Sequence, residues 1–557
     1  MRTNLSKSLC VVQLLLAGSL ILRAQQVAST FQVGQSFTAS TYGIDSSATP
    51  PDTDGAAGPN DFVEFVNGRY AVFRKSDGTT RQSVTDVEFW NRAGITIPSG
   101  WEVTDPRIIF DIPTQHWFAL QVDFDPSGVS NTNVFLLAVS SGPDPAAPWS
   151  AVAIPSDPSG ADFADFPTMG LDSQAVYISG DMFDVNGSPA GPSLFSIPKA
   201  GLLASPPSAS GRAWFGVMSY TTRGHILQPA VSVDGSSGGS VLGLGGLGVN
   251  DFTGQLETNT TLIAWNVLNA GSAANASLSN PDSLSVPDYT APIDPTQPDS
   301  SHNLDDGDAR MGAAAYRVGG VLYAVHATEV NNLAAIQWFR VRAADNVLLE
   351  AGIITDPTLD LFYPAIAANT NGAVVIACNG SGINTYVSCY AALGQTVNGI
   401  TTFGSLILLK AGAASYHAPG STRTSRWGDY SAVSVDPVNP TQFWTIQAYP
   451  SSRSAWSTQV IELLTAPAPS VPALSIARTD GNLLLSWPAA SAAFQLQSTT
   501  NLNPGNAWST LTEPVSTNGN VLSVVLPLSA SQQFFRLQQP PGLVLSKNDL
   551  QTWIWSQ

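Results

Sequence analysis

The sequence predicts an all-β protein, and three observations lead to that class. Charged residues make up only 11% of the 557 positions, far below the roughly 25% of ordinary soluble domains, so long solvated helices are not expected. Gly (47) and Pro (39) punctuate the whole chain, as they do where short strands alternate with turns. Finally, one phrase of alternating apolar residues recurs from one end of the chain to the other.

The phrase opens on a Pro, Tyr or small-residue turn, alternates through four or five apolar positions, turns at Asp, Asn or Gly, and alternates again. It reads Pro106-Arg107-Ile108-Ile109-Phe110-Asp111 before 116–122, Pro167-Thr168-Met169-Gly170-Leu171-Asp172 before 175–179, and Pro229-Ala230-Val231-Ser232-Val233-Asp234 before 240–244. An earlier copy covers 56–66, and later ones open at Arg310, Tyr363 and Tyr430. The starts fall near 54, 105, 165, 227, 308, 363 and 429, spaced somewhat wider than the roughly 40–50 residues of the commonest propeller repeats. Each copy supplies two strands of period 2, and the remainder has room for two more. Four-stranded sheets that bury their faces only against their neighbours assemble radially. Residues 25–464 therefore predict a seven-bladed β-propeller, with 30–40 or 457–464 completing the last blade.

A Pro/Ala linker at 465–473 precedes short alternating strands over 474–538, among them Leu483-Leu484-Leu485-Ser486-Trp487. That length, with a Trp on an early strand, fits a small β-sandwich of fibronectin type III character. The tail 539–557 has no assigned role. At the other end, Arg2 and Lys7 precede an apolar stretch over 9–22 that closes at Ala24, the layout of a secretory signal peptide over 1–24. The protein is expected outside the cytoplasm, secreted or at the cell surface. No other apolar run is long enough to span a bilayer.

Beyond that segment only Cys378 and Cys389 remain, flanking a Gly/Asn-rich centre between two apolar runs. In an oxidising compartment they are expected to form a disulfide across a hairpin. The formal charge of −18 repels phosphate backbones, which excludes nucleic acid as a partner, and a monomer is expected.

Three formal motif matches carry no chemistry. Gly243-Leu244-Gly245-Gly246-Leu247-Gly248 fits the dinucleotide fingerprint without a βαβ unit around it. Gly235-Ser236-Ser237-Gly238-Gly239 spells a nucleophile elbow but bridges two strands instead of leading into a helix. His116, His225, His302, His326 and His417 are scattered, with no metal-ligand spacing. Acidic groups on Gly-containing loops are more suggestive. Asp52 and Asp54 near Asp61, and Asp305, Asp306 and Asp308, cluster oxygen donors as a calcium site requires, although neither matches the EF-hand loop. No other cofactor is expected.

The repeat phrase, with Asp105-Pro106-Arg107-Ile108 and Arg426-Trp427-Gly428-Asp429-Tyr430-Ser431, resembles the inner strands of sialidase-like, BNR-type secreted bacterial propellers over roughly 50–464. The run from Leu485 to Leu537 is similar to a module attached to many secreted bacterial proteins. Two departures stand out. The Ser-x-Asp-x-Gly-x-Thr-Trp box is absent, since Ser76-Asp77-Gly78-Thr79 has neither its spacing nor its Trp, and no Tyr/Glu nucleophile pair can be placed. The resemblance implies that the first strand of each repeat is innermost and starts at the axial funnel. Arg107, Arg310 and Arg426 stand at that start in repeats two, five and seven, with Tyr363, Tyr430 and Asp429 at corresponding positions. Guanidinium groups there suit a carboxylate ligand such as a uronic or sialic acid, while pairing with Asp105, Asp308 and Asp429 would merely brace the blades. The function expected is non-catalytic binding of an extracellular glycan or protein. The alternative is a glycan-active hydrolase or lyase working on an anionic sugar in the funnel.

Overall fold

The structure is a computed structural model that describes residues 31–128, 130, 132–249, 254–465, 474–479, 481–489, 494–502, 508–528 and 533–538, with the backbone of 554–556. The expected signal peptide, the linker beyond Thr465 and the rest of the tail lie outside the described residues. The chain forms two compact units, one centred on 31–465 and one on 474–538. Among the described residues no helix is long and apolar enough to cross a membrane.

In the larger unit, successive strands fold back on one another as antiparallel meanders. The first comprises Asp54–Ala57, Asp61–Val66, Arg69–Arg74 and Thr80–Val84, the second Glu102–Asp111, His116–Phe124, Val134–Ser140 and Trp149–Pro155. The leading strands pack side by side in a closed circuit. Asp54–Ala57 touches Glu102–Asp111, which touches Phe163–Leu171, then His225–Pro229 with Val231–Ser232, then Tyr316–Val318, Asp360–Ala368 and Ala432–Val435, which returns to Asp54–Ala57. This is the architecture of a β-propeller. Where Val231 lies between Leu171 and Tyr316 the pairing is parallel, so neighbouring leading strands run the same way and begin at the same end of the axis.

Why the meanders assemble is visible in their burial. Asp61–Val66, Asp360–Ala368 and Ala373–Gly382 are buried at every position, because each sheet is covered on both faces by its neighbours, and strands so covered lose the polar alternation of a half-exposed strand. Neighbouring backbones approach so closely at Gly170 that a Cβ would collide with the Pro229 carbonyl.

Both ends of this unit meet in one sheet. Phe31–Thr41 pairs antiparallel with Ala455–Thr465, from Phe31 opposite Thr465 to Thr41 opposite Ser457. A buried polar knot ties this strand to the first meander. The Ser40 hydroxyl donates to Glu64 Oε2 (2.6 Å) and accepts from Arg69 Nη1 (2.8 Å), while the Thr458 hydroxyl donates to Glu64 Oε1.

Two expectations are corrected here. Cys378 and Cys389 are buried free thiols. A two-residue turn at Ile383-Asn384, with Gly382 opposite Thr385, would have set the cysteines face to face. The register shifts between Gly380 and Gly382, however, so Cys378 opposes Tyr390 and Cys389 opposes Asn379. One extra residue moves every side chain beyond it to the other face, and the two sulfurs point to opposite sides of the sheet. The fifth repeat also begins later than expected. Residues 310–313 form no strand, and the leading strand is Tyr316–Val318. The carbonyls of Met311 and Gly312 are taken by side chains instead, Gln228 Nε2 and Arg107 Nη1 respectively.

The smaller unit contains two four-stranded sheets, one with Asn482–Pro488 and Val521–Pro527 at its centre, the other with Gln495–Thr499 and Gln533–Gln538. Leu485, Trp487 and Val524 of the first share one core with Leu496, Phe535 and Leu537 of the second. Ile554–Ser556 of the tail pairs with Gln533–Gln538.

Candidate functional site at the axial mouth

The ends at which the leading strands begin carry a repeated distortion. Asp52, Asp105, Phe166, Ile226 and Tyr363 have φ between 45° and 57°, a left-handed conformation that costs non-glycine residues energy. Four of them sit in register shifts, between Thr104 and Arg107, Asp165 and Thr168, His225 and Gln228, and Phe362 and Ala365. A bulge re-aims the side chains around it. Here it turns Asp105 and Asp165 toward the mouth while the residues after the Pro point inward.

Two adjoining polar cavities result. One, of about 250 Å³, is lined by Asp165, Asp305, Asp306, Asp308, Arg310, Tyr363, Arg426, Asp429 and Tyr430. The other, of about 470 Å³, is lined by Asp52, Asn67, Glu102, Asp105 and others, and shares Asp165, Arg426 and Asp429 with the first.

The three arginines singled out in the sequence have different fates. Arg310 and Arg426 reach the mouth, each already engaged. Arg310 Nε and Nη2 donate to the two oxygens of Asp308 (2.8 and 2.7 Å), and its guanidinium lies 4.7 Å from the centre of the Phe166 ring. Arg426 bridges Asp305 (3.0 Å) and Asp429 (2.9 Å). Arg107 stops beneath the mouth, with its guanidinium 3.5 Å from the centre of the Tyr430 ring, and donates to the carbonyls of Pro167 (3.0 Å) and Gly312 (2.8 Å). The tyrosines face the mouth with their hydroxyls committed. Tyr363 Oη donates to the Asp305 carbonyl and Tyr430 Oη to that of Pro106.

Carboxylates outnumber cations here, and their proton affinities reflect it. Burial, reinforced by Asp429 and Asp105, holds the Asp52 carboxyl well above its usual range. Burial and then the charges of Asp165 and Asp429 push Asp105 up to about 7. Asp165 and Asp306 are raised mainly by burial. Asp308 goes the other way, because the Arg310 guanidinium outweighs its burial.

Of the acids expected to hold calcium, Asp52 does join a cluster, with Asp105 and Asp429 as its companions: one carboxylate oxygen from each lies within 4.8 Å of the others. Asp54 points elsewhere, into a small cavity of about 60 Å³ shared with Arg107 and apolar side chains, where burial raises it to about 7. Asp305, Asp306 and Asp308 line the mouth outside that cluster. Asp165 and Asn67 were missed in the sequence. Asp165 was detectable, since it stands two residues before the Pro that opens its phrase, close to the place of Asp105 one residue before Pro106, whereas Asn67, in the Asn67-Gly68 turn between two strands, signals only a hairpin.

No protein-family model matches the chain, and no curated protein matches it. Among solved structures, the chain is similar to extracellular domains 1–2 of Drosophila Semaphorin 1b, at 7% identity over 78% of this chain and 88% of that one, TM-score 0.36. It is also similar to Trypanosoma rangeli sialidase in complex with the inhibitor DANA, at 11% identity over 93% and 92%, TM-score 0.27. An ulvan lyase from a polysaccharide lyase family aligns at 11% identity over 83% and 92%, TM-score 0.29.

Proposed function

We propose that the chain is an exported, seven-bladed propeller that binds an uncharged extracellular glycan at its axial mouth without transforming it, the small unit being a fibronectin-like attachment sandwich. The observation that carries this reading is the polar cavity of about 250 Å³ in which Asp165, Asp305, Asp308 and Asp429 face Arg310 and Arg426. Carboxylates and guanidinium groups held in place by one another present acceptors and donors to sugar hydroxyls at little ordering cost. The excess of carboxylates repels an anionic sugar, which turns the proposal away from uronic and sialic acids. In this reading the protein acts as a monomer and has no nucleic-acid partner.

A catalytic reading has one observation in its favour, the Asp105 carboxyl held near neutrality, as a general acid requires. Against it, Asp105 stands beside Asp52 and Asp429, with one oxygen of each within 4.8 Å of the others, an arrangement suited to holding a cation more than to an acid and a base held apart by a sugar. Both tyrosine hydroxyls are also occupied by backbone carbonyls.

Oligosaccharide arrays with the full chain test the proposal. Neutral glycans are expected to bind and acidic ones not, and Arg310→Ala should weaken binding about tenfold, the equivalent of one charged hydrogen bond. Absence of binding to every neutral glycan sinks the reading. Release of reducing ends or unsaturated products replaces it with the catalytic one.

A further inference from the structure

We propose that Asp52, Asp105 and Asp429 form a calcium site at the axial mouth. The geometry is compact. With one oxygen of each carboxylate within 4.8 Å of the other two, the centre of the triangle lies at most about 2.8 Å from each corner, against roughly 2.3–2.6 Å for calcium–oxygen contacts. A small inward movement brings all three onto one ion.

A second observation points to a ligand. Asp52 is only 2% exposed, and its Oδ1 has no hydrogen-bond partner. A buried carboxylate oxygen left without a donor is costly and calls for an explanation. A Cβ built on Gly428 would lie 3.9 Å from this Oδ1, so the orphaned oxygen is turned toward the chain that carries Asp429. The other oxygen, Oδ2, accepts from Asn67 Nδ2 (2.7 Å). Asn67 Oδ1 in turn accepts from the Asp105 backbone N–H (3.0 Å) and the Thr104 hydroxyl (3.3 Å). One amide thus holds the Asp52 carboxylate and the backbone of Asp105 together, as outer-shell partners do around metal ligands.

Charge leads the same way. Arg426 pairs with Asp429 and is shared with Asp305. Among the described residues neither Asp52 nor Asp105 has a cationic side chain within ion-pair distance. Three converging carboxylates against one shared guanidinium leave a deficit that a dication fills. The choice of ion follows from the donors. They are all hard oxygens, and no His or Cys lines the cavity among the described residues, which disfavours zinc and copper. Three protein ligands do not complete a calcium shell, and the adjoining cavity of about 470 Å³ leaves room for water at the remaining positions. Calcium tolerates such irregular coordination, and magnesium does not.

This site does not depend on the glycan reading, and its test is separate. The full chain is stripped with EDTA and titrated with CaCl₂ while its thermal midpoint is followed. At a hundred times the dissociation constant, the midpoint is expected to rise by about 3 °C for a propeller of this size. Asp52→Asn and Asp105→Asn should each raise the calcium concentration required by at least about tenfold, while Asp345→Asn, on the surface, should leave it unchanged. The proposal is overturned if calcium up to about 10 mM, beyond the range of extracellular calcium modules, leaves the wild-type midpoint where EDTA does. It is equally overturned if both Asn variants keep the wild-type response. Terbium provides a readout that needs no variant. Trp101 lines the same cavity, so excitation of tryptophan should sensitise Tb³⁺ emission that calcium competes away, and absence of that emission refutes the site.

Discussion

Replacement of Arg107 by Ala tests whether this side chain braces the propeller or serves the mouth. Its guanidinium links four separate parts of the chain: the leading strand Glu102–Asp111 that carries it, the carbonyl of Pro167, the carbonyl of Gly312 and the ring of Tyr430. Two charge-assisted hydrogen bonds are lost, at about 1.5–3 kcal/mol each, and the contact with the Tyr430 face adds about 1–2 kcal/mol. Relief of the cost of burying a guanidinium offsets part of this, which leaves a net loss of about 3–5 kcal/mol. For the roughly 435 residues of the larger unit, unfolding entropy is about 0.9 kcal/mol/K, so the thermal midpoint should fall by about 4 °C. Differential scanning calorimetry of wild type and variant reads this directly, and Arg107→Met, which keeps the stem, should lose less. A midpoint within about 1 °C of wild type would refute the bracing role.

Three other predictions follow from buried groups. Ser40→Ala removes one donor from Glu64 and one acceptor from Arg69 and should cost about 1–3 kcal/mol in urea unfolding; a loss below about 0.5 kcal/mol would mean that the knot does not tie the ring. His326 is fully buried and its pKa is lowered to about 4 by desolvation, so it stays neutral in the fold while the unfolded chain takes up a proton below about pH 6.5. The stability it contributes at pH 7, on the order of 3 kcal/mol, is therefore lost as pH falls from about 6.5 to 4, and His326→Gln should remove that part of the pH dependence measured by urea midpoints. Finally, Ellman's reagent should titrate neither Cys378 nor Cys389 in the folded protein, because burial raises both thiols and hides them. Both should react in guanidinium without reductant, and failure to react there would restore the disulfide.

The leading strands were legible in the sequence because apolar alternation and the turn residue that opens each phrase are local properties. Pro106 to Asp111 and Pro167 to Leu171 fall within the strands found. What local reasoning misjudged was register. On a regular strand Asp105 and Arg107 share a face, which is why they read as neighbours at the funnel. The left-handed φ of 57° at Asp105 separates them, sending the acid to the mouth and the base beneath it. A register shift between Gly380 and Gly382, without a left-handed residue, parted the two cysteines. Nor does the sequence reveal that Asp52 meets Asp429 across the closed ring, since that contact exists only once every intervening repeat has folded. The acidic character of the mouth was half visible: the acids could be counted, but their convergence depends on the circuit.

The pairing of Phe31–Thr41 with Ala455–Thr465 also sets a timetable for biosynthesis. The first strand of the ring is made about 420 residues ahead of its partner, a wait of roughly 20 to 80 s at ordinary rates of translation. An unpaired strand held open that long is a hazard for edge-to-edge aggregation. The segment is suited to waiting, because Gln32, Gln35, Ser36 and Thr38 make it polar, and most of its length remains solvent-exposed even after docking. The same polar residues that meet solvent in the finished ring also deny a neighbouring chain an apolar edge during that wait.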